Sequence, residues 1–270
     1  MFGKHVRLRD LDFDWRYIWG RDYGGNLSWI WSRIGMPRIK RNMELCAFYL
    51  YRQNPHPAGG IEGPGATGFF VARKSDKLAW LYHVYAVSNA HNINQGWSFI
   101  RLNTKDGATR FINIPADDWA TSSTVDLSVV DVTDLLSLNP GSASWSDDIS
   151  WIDEQHFLTR EFIQASDVGI GDNTLMLGMF ADHYGGSKNL PVGRFGNIAS
   201  LPHDSAPVRL SAADRFVCPS YLNDTRSRGG FSGSPVWVYR TTSDDLTHLP
   251  FDTLQAEGFS IGAHESPHLN

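Results

Sequence analysis

Three side chains of this 270-residue chain have the types and the order to draw a proton away from an attacking oxygen: His91, Asp126 and Ser232. Ser232 lies in Gly229-Gly230-Phe231-Ser232-Gly233-Ser234-Pro235, directly before the apolar run Val236-Trp237-Val238-Tyr239. A serine hydroxyl is a weak nucleophile until a neighbouring base takes its proton, and that base needs a third group to hold its tautomer. Gly229 and Gly230 lack a Cβ, so both can adopt positive φ and aim their amides where side chains would otherwise interfere. Pro235 biases Ser234 toward extended geometry and so starts a strand.

Ten histidines are present. His91 stands out because it ends the strand-like run 80–87 and opens Ser88-Asn89-Ala90-His91-Asn92, where an imidazole faces a cleft from a fixed backbone. Asp126 precedes the apolar run Leu127-Ser128-Val129-Val130. A buried carboxylate is costly unless paired, and orienting a histidine is one way to pair it. Asp131, at the far end of the same run, competes; along a strand the two point to opposite faces. Asp126 is the better candidate because it precedes the run. The separations are 126 − 91 = 35 and 232 − 126 = 106 residues.

Strands have to position these groups. From Glu44 onward short apolar runs recur at 45–51, 68–73, 78–88, 97–102, 109–114, 125–132, 174–181 and 235–239, punctuated by Gly, Pro, Asn and Asp. That pattern predicts an all-β sandwich or barrel, with 152–165 as a short helical or irregular segment. Asn139-Pro140-Gly141-Ser142 marks a boundary near the middle of the chain. Three segments follow: 1–42, rich in tryptophan without a sustained period, then 43–138 and 139–270. Met36 leads directly into the first strand. Residues 1–35 therefore read either as an extension the fold can lose or as an arm packing its tryptophans on the body.

The composition narrows the partners. A net charge of −5 gives no basic excess to displace counterions, which argues against non-specific nucleic-acid binding. No uninterrupted apolar run reaches the ~18 residues of a membrane span. The charged first fourteen residues lack the apolar core of a secretory signal. Cys46 and Cys218 are the two cysteines, and so few without a signal peptide suggest free thiols in a reducing, cytoplasmic setting.

The motifs resemble those of the trypsin-like, chymotrypsin-fold serine peptidases, in particular bacterial members without disulfides. Gly65-Ala66-Thr67-Gly68-Phe69-Phe70-Val71 resembles the strand before that family's histidine. Asn89-Ala90-His91, Asp126-Leu127-Ser128-Val129-Val130 and Gly230-Phe231-Ser232-Gly233-Ser234-Pro235 resemble its three active-site motifs. Ile170-Gly171-Asp172 and Arg194-Phe195-Gly196-Asn197-Ile198 resemble a turn and strand of its second half. The resemblance spans about 44–240. It implies two antiparallel six-stranded β-barrels, 43–138 and 139–270, with the site in the cleft between them. It also implies a polypeptide substrate, no cofactor and no metal. His91 would act as base, Asp126 as its orienter and Ser232 as nucleophile, with the amides of Gly230 and Ser232 forming the oxyanion hole.

Three departures qualify that expectation. Phe231 stands where activated digestive members carry an aspartate that pairs with a new N-terminus, so activation by N-terminal cleavage is not expected. Asn92 replaces the cysteine that follows the histidine in secreted members. Only 270 − 232 = 38 residues follow Ser232, so either the last strands of the second barrel are abbreviated or the sequence is truncated. A non-catalytic, protease-like binding module is the alternative reading. Gly63 to Gly68 match Gly-x-Gly-x-x-Gly, but a strand rather than a helix is expected after them, against a dinucleotide site. His264 and His268, four apart, lack a third metal ligand. Arg226 and Arg228 read as solvent-facing loop charges.

Overall fold

A computed structural model describes residues 39–52, 63–78, 81–136, 146–180, 185–209, 216–225, 229–239 and 255–256. The expectations for 1–35, for the boundary at 139–142, for Arg226 and Arg228, and for His264 and His268 lie outside the described residues.

The eight predicted runs all contain strands. In order they hold β1 (Ala47–Tyr51), β2 (Ala66–Lys74), β3 (Tyr82–Ser88), β4 (Phe99–Asn103), β5 (Thr109–Ile112), β7 (Ser128–Asp131), β9 (Asn173–Gly178) and β12 (Val236–Tyr239). The remaining strands are β6 (Ala120–Thr121), β8 (Ile152–Asp153), β10 (Val192–Ser200), β11 (Leu222–Asp224) and β13 (Gln255–Ala256). Three short α-helices accompany them among the described residues: α1 (Arg41–Glu44), α2 (Ala90–Asn94) and α3 (Arg160–Ser166). Thr159 starts α3 by accepting the Phe162 amide on its hydroxyl, a serviceable N-cap.

The strands form two sheets. The first has eight strands in the order β5-β4-β1-β2-β3-β7-β6, with β8 alongside β2; the second runs β11-β10-β9-β12-β13. The neighbours are antiparallel, except that β8 lies parallel to β2 through Val71↔Ile152 and Ala72↔Asp153. The expected pair of closed six-stranded barrels is therefore incorrect: among the described residues neither sheet closes on itself.

The reason is local. To close the first sheet, β5 would have to pair with β6 or β7, at the opposite end of the order. The connecting segment carries Pro115, which lacks an N–H to give a ladder, and then a 3₁₀ turn at Ala116–Asp118. Ile114 and Trp119 from this segment are buried in the first core instead of extending a strand. In the second sheet, the connection from β10 to the three-residue β11 contributes a single isolated bridge, Val208↔Cys218, among its described residues.

β2 explains how the sheets meet. Its side chains alternate, and both faces are buried, which is why it reads as a continuous apolar run. Phe70 and Ala72 join Phe48, Leu50, Ile100 and Leu102 in the core of the first sheet. Phe69 and Val71 turn the other way and pack with Leu175, Leu177 and Trp237 of the second sheet. Burying each large apolar side chain contributes roughly 1.5–3 kcal/mol, so this shared cluster fixes one sheet against the other. The turn carrying Ser232 enters β12 beside it. Cys46 and Cys218 are both free thiols.

Candidate active site

His91 follows β3 within one turn. The sequence suggests a loop there, but Ala90 to Asn94 form α2, with Asn89 extended at its start (φ −68°, ψ 143°). The side chain of Asn89 does not cap that helix. It reaches instead to Asp126, its Nδ2 donating to Asp126 Oδ2 at 2.8 Å. Asp126 itself lies on the bend before β7, ahead of the strand and not within it.

The structure brings the three predicted side chains into one line. Ser232 Oγ is 2.7 Å from His91 Nε2, and His91 Nδ1 is 2.6 Å from Asp126 Oδ2. Asp126 Oδ1 also accepts the His91 backbone amide at 2.9 Å. Burial pushes the Asp126 carboxyl up, but hydrogen bonding to His91, the charge of His91 and the Asn89 amide outweigh it, and the net shift is downward. An ionised carboxylate only accepts, so the neutral imidazole carries its proton on Nδ1 and leaves Nε2 to accept from the serine hydroxyl. The His91 side chain is 44% exposed and that of Asp126 18%, so the imidazole reaches solvent while the carboxylate is shielded. Asp131, the competing carboxylate, is spent elsewhere: it accepts from the Thr133 amide and hydroxyl and lies 3.8 Å from His83 Nδ1.

The nucleophile turn shows which glycines are special. Gly230 has φ +96° and Gly233 φ +86°. A Cβ on Gly233 would collide with Thr67 O and Ser88 Oγ. The positive φ that the sequence allows is adopted at Gly230, and Gly233, not singled out in the sequence, adopts it too. Among the described residues no backbone acceptor takes the amide of Gly230 or of Ser232.

Residues not singled out as functional hold this turn. Asn92 Nδ2 donates to Ser232 O at 3.1 Å and to Ser88 Oγ at 3.2 Å. Thr67 on β2 donates its amide to Ser232 O at 2.9 Å. Thr67, Ser88, Asn89 and Asn92 are all buried. The signal that marks them is a polar side chain inside an apolar run, since a buried polar group must find a partner. Phe231 is fully buried, and the Arg194 guanidinium lies 5.6 Å from its ring centre. Among the described residues no cluster of three His, Cys, Asp or Glu side chains could hold a metal, and no helix is long and apolar enough to cross a membrane.

No family model matches the chain, and no curated protein matches it. Solved structures do. Deg5 aligns at 16% identity over 73% of this chain and 75% of its own, with a TM-score of 0.39. Two structures of the HtrA-type protease AlgW with a decapeptide align at 11% identity. The variant form covers 80% of this chain with a TM-score of 0.39, and the other covers 81% with 0.36. The chain spans 60% and 63% of those two AlgW chains. It is thus similar to HtrA-type proteases and to Deg5 at a loose level, and the chemistry proposed below rests on its own side chains.

Proposed function

We propose that the protein is a serine endopeptidase that hydrolyses peptide bonds through an acyl-enzyme intermediate. The observation that carries this reading is the unbroken line Ser232 Oγ–His91 Nε2 and His91 Nδ1–Asp126 Oδ2, at 2.7 and 2.6 Å. His91 takes the Ser232 proton as Oγ attacks the scissile carbonyl carbon. The new oxyanion is met by the Gly230 and Ser232 amides, and the proton then passes from His91 to the departing amine. In the second half, water gives its proton to His91, attacks the acyl carbon, and Ser232 recovers its hydrogen. Asp126 stays ionised throughout and stabilises the imidazolium. No metal or cofactor enters these steps, and the substrate is a polypeptide. The two free thiols fit a cytoplasmic setting.

A fluorophosphonate probe tests the reading directly. Ser232 Oγ attacks phosphorus, fluoride leaves, and His91 accepts the serine proton. The wild type should gain one probe mass, mapped to Ser232, and should cleave members of a peptide library. S232A should take up no probe while keeping its circular dichroism, with turnover lower by a factor on the order of 10⁶. A wild type that takes up no probe and cleaves no peptide would leave the non-catalytic binding module standing. Probe retained by S232A would assign the nucleophile elsewhere.

A further inference from the structure

We propose that Thr67 is a positioning residue for the oxyanion-binding turn, an inference that rests on the hydrolase reading above. Thr67 is fully buried in β2, and every polar atom it carries is engaged. Its amide donates to Ser232 O at 2.9 Å, and its carbonyl accepts from Ser88 Oγ at 2.8 Å. The hydroxyl does two things at once: it accepts the Met179 amide at 2.8 Å and donates to Gly230 O at 2.7 Å. A hydroxyl has one proton, and a backbone amide can only donate, so these directions are fixed.

The consequence follows from peptide planarity. Pinning Gly230 O orients the Gly230–Phe231 plane. Phe231 O accepts the Ser234 amide at 3.0 Å, which orients the next plane and with it the Ser232 N–H. Ser232 O is held by the Thr67 amide and by Asn92 Nδ2. Three consecutive planes are therefore held, two of them by Thr67. Among these contacts the Thr67 hydroxyl is the one that acts on Gly230, pinning its carbonyl; the Gly230 N–H lies in the preceding peptide plane and is oriented relative to that carbonyl through the backbone torsions of Gly230, whose φ is +96°. Met179 directly follows β9, so the same oxygen ties the first sheet, the nucleophile turn and the second sheet together.

Thr67 touches no reacting atom, and its effect should appear in the chemical step. Thr67→Val keeps the branched shape and removes the donor, leaving Gly230 O and the Met179 amide without it. Inactivation by a fluorophosphonate uses the same oxyanion donors for the phosphoryl oxygen and needs no known substrate. Its concentration dependence separates binding (KI) from chemistry (kinact). T67V should lower kinact about 10–100-fold, the scale of a small displacement of catalytic geometry, with KI within about threefold. Thr67→Ser keeps the hydroxyl and should restore kinact to within about threefold of wild type.

Intact mass of the labelled protein normalises each rate to competent sites, so a lowered folded fraction does not mimic the effect. If T67V does not fold, Thr67→Cys, a weaker donor on a similar stem, takes its place with a kinact at least about tenfold below wild type. A folded T67V or T67C with wild-type kinact, or a loss confined to KI, overturns the inference. So does a T67S variant no faster than T67V. A wild type that does not react at all overturns the hydrolase reading, and this inference falls with it. A reactive wild type beside an unaffected T67V overturns this inference alone.

Discussion

Gly233→Ala is the most demanding single test of how the nucleophile turn is built. Gly233 holds φ +86°, a region that costs an L-residue roughly 1–2 kcal/mol. The added methyl would also meet Thr67 O and Ser88 Oγ. Those two atoms hydrogen-bond each other at 2.8 Å, so making room means separating them in a buried site. Leaving a buried polar group without its partner costs about 1–3 kcal/mol. The sum is about 2–5 kcal/mol, a large part of the ~5–15 kcal/mol that holds a typical domain together. In a chain of this size that lowers Tm by on the order of 10 °C.

Urea denaturation, followed by tryptophan fluorescence and circular dichroism together, measures the change. Gly169→Ala is the internal comparison, because its φ is not left-handed and its Cβ would meet nothing within 4 Å. That variant should fall within about 1 kcal/mol of wild type. A G233A variant equally close to wild type would refute the reasoning, since neither the positive φ nor the crowded approach to Thr67 would then be real. The functional consequence runs in the same direction: a turn pushed away from β2 separates Ser232 from His91, so fluorophosphonate labelling should fall in step with stability.

Two further outcomes follow from titratable groups. The Asp126 carboxyl lies below its ordinary value in the folded protein, so its interactions stabilise the fold above the unfolded pKa, about 3.9, and that contribution is lost as pH falls through the folded value. The stability difference between wild type and Asp126→Asn should therefore shift against the wild type as pH falls below about 4, as read from urea midpoints across pH; a shift in the opposite sense would contradict the assignment. Burial pushes the Cys46 thiol far above the usual range, and the thiol donates to Met43 O. Iodoacetamide at pH 8 should leave Cys46 unmodified in the native protein and alkylate it after denaturation, as read by peptide mapping. Rapid native labelling of Cys46 would show that the shared core is open.

Local chemistry made the three principal side chains legible, whereas long-range pairing hid the architecture. Ser232 announces itself through flanking glycines and a following apolar run, and His91 through its place at the end of β3. Asp126 was separable from Asp131 by its position ahead of β7. Asp126, on a bend, lies beside His91 in α2, and Asp131 beside Thr133. Sheet closure was not legible, because it depends on whether β5 meets β6 or β7, and Pro115 with the buried Ile114 and Trp119 decides that against a ladder. Thr67 was hidden for a different reason. In Ala66-Thr67-Gly68-Phe69 a threonine reads as a good strand former, and nothing local shows that its hydroxyl spans 163 residues to Gly230.

Those separations bear on how the site can arise. The bond from Ser232 to His91 joins residues 141 apart, that from Thr67 to the Met179 amide joins residues 112 apart, and each crosses from one sheet to the other. Contacts of this kind repay their loop-closure entropy only after both sheets exist. The first sheet by itself can present His91 and Asp126 in register, because Asn89 and the His91 amide hold Asp126 over a span of 35 to 37 residues. It cannot place the nucleophile. Ser232 is located by the docking of β9 and β12 against Phe69, Val71 and Val87, where Leu175, Leu177 and Trp237 fill the space between the sheets. A hydrogen bond of 2.7 Å tolerates only a few tenths of an ångström before it weakens, so these apolar side chains set the accuracy with which Ser232 meets His91.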